Sequence, residues 1–356
     1  MEAEILGAEN PAWLECLGQL PHDFYHHPLY VGLEGERIQA IPEAFLARDG
    51  EKVFLLPYLV RSCNSLFPTG SFGNSVTDVI SPYGFPGVLL NDAGREPEFA
   101  RRALQAFRQT LQAKGVCSGF FRMHPILNQD LRELFPAQQF TDNGITVAID
   151  LLQDEETLWQ GMVRTHRVTI NKCVNAGFTP RVVPLADYLD EFIDIYDQTM
   201  KRVKAKPNYY FNRSYFQRLA AMTEHVHCCI VEGQGQVSAA CIILECSGIT
   251  QAHLGGTKND FLSKSPFHLL LHHAALWAKG RGNRYLHLGG GVGGANDQLL
   301  RFKSGFSSRT FPFSTLRLRT NEAHYGQMVE LRAGAINVPV DTLLESSFFP
   351  AYRAME

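Results

Sequence analysis

Apolar and polar positions alternate in two stretches of the chain as they do in β-hairpins. From Ala44 to Val60 the sequence reads AFLARDGEKVFLLPYLV, and its two apolar runs meet at Asp49-Gly50, a pair suited to a tight turn. From Cys228 to Cys246, CCIV and VSAACIILEC flank a second turn at Gly233-Gln234-Gly235. A helical spacing follows each hairpin. Between Glu96 and Lys114 the apolar positions Phe99, Leu104, Phe107 and Leu111 fall on one face, Gly115 ends the pattern, and VCSGFF reads as a strand. Near the other end, Ser265 and Pro266 read as an N-cap and first-turn proline. HLLLHHAALWAK continues as a mostly apolar helix, Gly280 ends it, and RYLHL follows as a strand. Hairpin, helix and strand thus occur twice in one order, which predicts two copies of one supersecondary plan.

Between the copies the spacing predicts a long helix from Glu155 to Ala176, ended by Gly177, with Arg164, His166, Arg167 and Lys172 on its polar face. A second helix is expected from about Ala186 to Val203, and a third, opened by Asn212, to about Thr223. The expected fold is α/β (α+β), with a boundary near Asp150 separating residues 1–150 from 151–320. Residues 321–356 have no counterpart in the first half.

Composition narrows the function classes. The 356 residues carry 33 Lys and Arg against 36 Asp and Glu, a net charge of -3, which argues against a dedicated duplex-DNA binder. Hydrophobic residues at 45% and charged residues at 19% are an ordinary globular mixture. No apolar run approaches the roughly 18 residues of a membrane span, and the N-terminus, MEAEILGAEN, lacks the basic-then-apolar order of a secretory signal. Eight cysteines occur without a CxxC pair, several inside apolar strand-like runs, so a reduced, cytoplasmic setting is the simpler expectation.

Three stretches carry candidate chemistry. In RYLHLGGGVGGANDQLLRFKSGF (Arg284 to Phe306) a strand enters a glycine cluster, and Asn296 or Asp297 caps a short helix, QLLRFK. Such a loop lets backbone N–H groups approach an anion, and Arg301 and Lys303 add positive charge. Lys303, beside Phe302, can offset charge developing on a tetrahedral intermediate. Gly289, Gly291 and Gly294 formally satisfy GxGxxG, but no βαβ unit continues and no acidic residue lies about 20 positions on, so nicotinamide binding is not expected. The second stretch, TMKRVKAKPNYYF (Thr199 to Phe211), interleaves Lys201, Arg202, Lys204 and Lys206 with Tyr209, Tyr210 and Phe211, a pattern suited to a phosphate and a stackable ring. The third, NSVTDVISPYGFPG (Asn74 to Gly87), reads as a long loop with Tyr83 between two proline turns. His253 and His287 lie on strands leading into glycines, and either can serve as a general base. His225, His227 and Cys229 would share a strand face, but no fourth ligand has a fixed spacing and no metal is assigned. GxSxG, the P-loop and HExxH are absent.

RTHRVTINKCVNAGF, YDQTMKRVKAKPNYYF, AHLGGT, SPFHLLLHHAALWAKGRG, LHLGGG and LLRFKSGFS, in this order, resemble the FemAB-like branch of the GNAT superfamily. The match runs from about Arg164 to Ser307, and DFYHHPLYV, LPYLVR and SPYGFPG extend it more loosely into the first half. The resemblance implies two tandem GNAT-like domains, each a mixed, mostly antiparallel sheet flanked by helices, with the chain's end packing back on the first. It also implies transfer of an aminoacyl or acyl group to an amine of a cell-envelope or polysaccharide precursor. The donor would be aminoacyl-tRNA or an acyl-CoA, with no permanently bound cofactor, and the acceptor a sugar-nucleotide or lipid-linked precursor. A non-catalytic glycan-binding module of the same fold is the alternative from another class. The family's Phe-Lys pair matches Phe302-Lys303, where the lysine supports the substrate and the tetrahedral intermediate. The proton acceptor is His253, Asp297 or a group of the substrate. Tyr83, Arg167, Arg202, Tyr210, Arg301, Gly290 and Gly291 are the expected substrate contacts. The place of the usual GNAT pyrophosphate loop reads NDFLSKSPFHL, without its glycines, although Ser265 at a helix N-terminus could meet a phosphate. No long heptad segment forms the coiled-coil arm found in some Fem proteins.

Overall fold

Both predicted hairpins form where turn residues take the left-handed backbone. In the computed structural model, which describes residues 1–67, 76–136 and 139–354, the first elements are β1 (Glu2–Gly7), α1 (Pro11–Leu17), α2 (Pro28–Arg37), β2 (Ile41–Asp49) and β3 (Lys52–Ser62). Asp49 pairs with Lys52 across Gly50, whose φ is 60°. There follow β4 (Thr77–Ile80), β5 (Leu89–Leu90), α3 (Pro97–Ala113), β6 (Val116–Arg122), α4 (Leu131–Leu134) and β7 (Phe140–Asp150). The chain continues as α5 (Glu155–Gly161), α6 (Arg164–Asn175), β8 (Thr179–Pro184), α7 (Leu189–Arg202) and α8 (Arg213–Ala220). Next come β9 (Val226–Gly233), β10 (Gln236–Cys246), β11 (Ile249–Thr257), α9 (Phe267–Gly280), β12 (Tyr285–Gly290) and α10 (Gln298–Ser304). β13 (Thr310–Arg319), α11 (Glu322–Ala335) and α12 (Val340–Leu344) complete the order.

These elements form two units, one of Met1–Asn143 with the chain from Phe313 onward, the other of Gly144–Pro312. In the first unit the strand order is β1-β2-β3-β4-β6-β13, with β5 on β3. All neighbours are antiparallel except β4 and β6, which α3 joins. The second unit has the order β7-β12-β11-β10-β9-β8 and again one parallel pair, β11 with β12, joined by α9. A parallel pair needs a crossover, and a helix on the sheet face supplies it.

The first unit buries Phe99, Phe107 and Leu111 of α3 against Phe45, Phe54 and Phe121 of its sheet, a contribution of about 2 kcal/mol per fully buried side chain. The segment after β13 belongs to this unit, where Tyr325, Met328 and Tyr352 pack on Cys63 and Cys117. Asp78, fully buried in β4, receives Arg353 at 2.6 Å, Arg61 at 2.9 Å and the Tyr352 hydroxyl at 3.1 Å. In the second unit, Ile170 and Cys173 of α6 and Leu270 and Ala274 of α9 cover Cys229, Cys241 and Ile243.

Three expectations are corrected. The stretch read as one loop from Asn74 contains the strand Thr77–Ile80, because its buried carboxylate finds guanidinium partners outside the stretch. Asn74 and Ser75 lie outside the described residues. The helix read from Glu155 to Ala176 is two helices, since Met162 is extended (ψ 145°) and the Val163 amide leaves the ladder for the Gly305 carbonyl at 2.9 Å. Ser265 does not cap α9. Its φ of 53° turns the side chain away, and its hydroxyl donates to the Leu262 carbonyl at 3.2 Å.

Candidate functional site

The site is built where β12 runs out. Its last residues, Leu288–Gly290, lead into a single 3-10 turn, Val292–Gly294, and then into α10. Two glycines are required by geometry. Gly289 sits at φ 77°, and a Cβ on it would stand 3.2 Å from the Lys303 ammonium. A Cβ on Gly291 would collide with the Ala295 carbonyl and come within 2.6 Å of an Asp297 carboxylate oxygen. Asp297 is the N-cap of α10. One carboxylate oxygen accepts the Leu300 amide at 2.9 Å and the other the Val292 amide at 2.9 Å, closing the glycine turn onto the helix. Burial pushes the Asp297 carboxyl up, but these amide bonds outweigh it and hold its pKa below the ordinary range.

From α10, Lys303 reaches back to the turn and donates to the Gly290 carbonyl at 2.7 Å. This bond uses one of the three N–H donors of the ammonium, and no carboxylate pairs with the side chain among the described residues. Burial pushes the ammonium down to about 8, while the Asp297 carboxylate and the Cys241 thiol act in the opposite sense. At neutral pH the group is still mostly protonated, a cation held in a partly dry turn.

Phe302 fixes the other side of α10. Its ring lies among His166, His268 and Phe306, with centroids 5.5, 4.9 and 5.3 Å away. The His166 Nε2 meets the Phe302 carbonyl at 2.9 Å, and the two histidines stand edge to face at 4.5 Å. Burial lowers the pKa of both, that of His268 to about 4, so the rings are neutral near pH 7. Gly305 lets His166 approach, since a Cβ there would penetrate the imidazole. The sequence spacing places His166 on a polar helix face, whereas the structure buries it, and His268 is not singled out from the sequence. Their signal was three buried or half-buried aromatic partners that only the fold assembles.

The neighbouring strands part beside this turn. β11 and β12 pair at Ile249–Tyr285, Thr250–Leu286 and Gln251–His287 and no further. His253 follows this last pair and is the extra residue of a β-bulge, since Ile242 pairs with Leu254 and Ile243 with Ala252. His287 is buried and meets the Gln251 side-chain oxygen at 2.6 Å.

The fold thus brings Gly290, Gly291, Asp297, Phe302 and Lys303 together, with Arg301 on the exposed side of the same helix. The remaining candidates stand on other elements. Arg167 on α6 donates to the Gln160 side chain. Arg202, at the end of α7, holds the Asn259 side chain at 2.6 Å and the Thr257 carbonyl at 3.3 Å, and so ties that helix to the end of β11. Tyr210 is 43% exposed in the turn that follows. Ser265 lies just before α9. Tyr83 belongs to the first unit, where its amide donates to Glu34 at 3.2 Å and its carbonyl accepts the Tyr30 hydroxyl at 3.1 Å.

Residues 162–304 match the family model of an acetyltransferase (GNAT) domain. The matched segment falls inside the second unit. The whole chain also has the fold of solved proteins at 11% identity. The crystal structure of FemX is similar with a TM-score of 0.67 over 88% of this chain and 97% of that one. The C-terminal domain of a putative lysylphosphatidylglycerol synthetase from Agrobacterium fabrum is similar with a TM-score of 0.54 over 94% and 96%. A tandem GNAT protein from the clavulanic acid biosynthesis pathway gives 0.50 over 90% and 99%. No curated protein matches. The fold is therefore two GNAT-like domains in tandem, and the Lys303 turn lies within the matched segment. No helix among the described residues is long and apolar enough to cross a membrane.

Proposed function

We propose that the protein is an N-acyltransferase that moves an aminoacyl or acyl group from an activated ester or thioester to an amine of a cell-envelope or polysaccharide precursor. The observation that carries this reading is the Lys303 ammonium, held against the Gly290 carbonyl with two N–H donors uncommitted among the described residues. In the reaction the amine nitrogen bonds to the acyl carbon, and the carbonyl electron pair moves onto oxygen. The tetrahedral oxyanion collapses, the C–O or C–S bond to the carrier breaks, and the leaving oxygen or sulfur takes up a proton as the amine gives one up. Lys303 donates to the oxyanion, an effect worth about 3 kcal/mol for one well-placed donor in a water-poor site. His253, on its bulge, is the candidate that accepts the amine proton. Both oxygens of Asp297 are committed to backbone amides, so it serves by holding the turn in shape.

The separation of β11 from β12 beyond Gln251 and His287 favours a second reading of the donor, an acyl-CoA. Strand edges that stop pairing offer N–H and C=O groups to an extended, amide-bearing arm. The absence of glycines before α9 weighs toward aminoacyl-tRNA. The test presents the intact protein with acetyl-CoA, a longer acyl-CoA and alanyl-tRNA in separate reactions. UDP-linked amino sugars and UDP-linked lysine-bearing peptides serve as acceptors, and new amides are read by mass spectrometry. One donor class is expected to give product. Ligand binding without an amide from any donor would overturn the reading in favour of a non-catalytic module.

A further inference from the structure

The first unit holds a groove that the acyl-transfer chemistry does not use. It has a volume of about 580 Å³ and lies between the outer face of α3, the chain around Phe135 and Pro136, and β13. This size is in the range of small-molecule sites. Leu104, Phe135 and Leu318, each at least nine-tenths buried, form its floor.

Arg101 and Arg108 both line it. They are seven helical positions apart, so their Cα atoms are about 10 Å from each other on one face. Each guanidinium is held by one backbone oxygen, Arg101 by Leu134 at 2.9 Å and Arg108 by Arg319 at 2.8 Å. Neither has a carboxylate partner among the described residues, and no Asp or Glu lines the groove. The rim is instead amide, from Gln105, Gln109 and Gln112.

We propose that this groove binds a short peptide carboxylate with apolar side chains. The carboxylate pairs with a guanidinium, the fork geometry that arginine offers such a group. The glutamine amides take the remaining backbone groups, and the apolar side chains cover Leu104, Phe135 and Leu318. A phosphate would satisfy the arginines but not the floor.

The inference does not rest on the acyl-transfer reading, and its test needs no turnover. Acetyl-leucyl-leucine, its C-terminal amide and phenyl phosphate are titrated into the intact protein by calorimetry. The carboxylate is expected to bind at one site, with the amide at least tenfold weaker. Arg108→Gln and Gln105→Trp, the second filling the groove from the helix surface, are each expected to weaken binding at least tenfold. Arg102→Gln, on the same helix but paired with Asp49, is expected to bind as the wild type does. Silence of the peptide at millimolar concentration overturns the proposal. So do equal binding of its amide, binding of phenyl phosphate alone, and wild-type affinity in both groove variants.

Discussion

Lys303→Met separates the cost of the buried ammonium from its use. The folded protein holds this group at about 8, against an ordinary value of 10.5. A shift of that size corresponds to about 3 kcal/mol of stability forgone wherever both the folded and unfolded states carry the charge. That condition holds below about pH 8. Between about 8 and 10.5 the unfolded chain binds the extra proton, so wild-type stability rises with pH through this window. Above it no cost remains. Methionine keeps much of the volume and removes the charge, but it leaves the Gly290 carbonyl without its donor, a loss of about 1 kcal/mol or more. The variant is therefore expected to be more stable than wild type at pH 7, by about 1–2 kcal/mol, and less stable near pH 10.5. Urea unfolding of both proteins at several pH values reads the difference directly, and alkaline effects common to both cancel. A stability difference independent of pH would refute the argument, as would one that moves in favour of the variant as pH rises.

Other perturbations test neighbouring parts of the account. Gly291→Ala forces a Cβ onto the Ala295 carbonyl and the Asp297 carboxylate, so it is expected to cost about 2 kcal/mol or more and to abolish acyl transfer. Thermal unfolding and a product assay check the two effects. Asp297→Ala removes acceptors from two backbone amides, with an expected loss of about 1–2 kcal/mol in urea. Because the Asp297 carboxyl is held below the ordinary range, this contribution is present at neutral pH and fades as the medium is acidified through the folded-state value. Arg353→Ala leaves buried Asp78 with Arg61 alone as its cationic partner, and a fall of about 3 kcal/mol in stability is expected by chemical unfolding. In the wild type, transfer that depends on the Lys303 cation is expected to decline as pH rises through about 8, whereas a lysine acting as base would give the opposite slope.

The chain's local punctuation carried much of the fold. Asp49-Gly50 and Gly233-Gln234-Gly235 mark hairpins because few sequences reverse the chain in two residues, and Gln234 and Gly235 adopt φ 54° and 77° as that turn requires. The glycine cluster, Asp297 and Lys303 could be read together because they are near in sequence and the helix between them is short. What escaped depends on partners far along the chain. Asp78 makes sense inside β4 only beside Arg353, and the two are 275 residues apart. The break at Met162–Val163 is invisible to apolar spacing, since Gly305 captures an amide that every helix model would leave in the ladder. Nothing in the sequence singles out the arginines of α3, because Phe135 and Leu318 beside them come from other parts of the chain. The histidines around Phe302 escaped for the same reason, being distributed over α6 and α9.

The most direct test of the account compares wild type and Lys303→Ala in single-turnover amide formation, with the donor and acceptor found by the screen. A fall of about a hundredfold or more in the rate constant, with donor affinity unchanged, is the predicted result. A rate within twofold of wild type would contradict the claim that the ammonium held at the glycine turn carries acyl transfer.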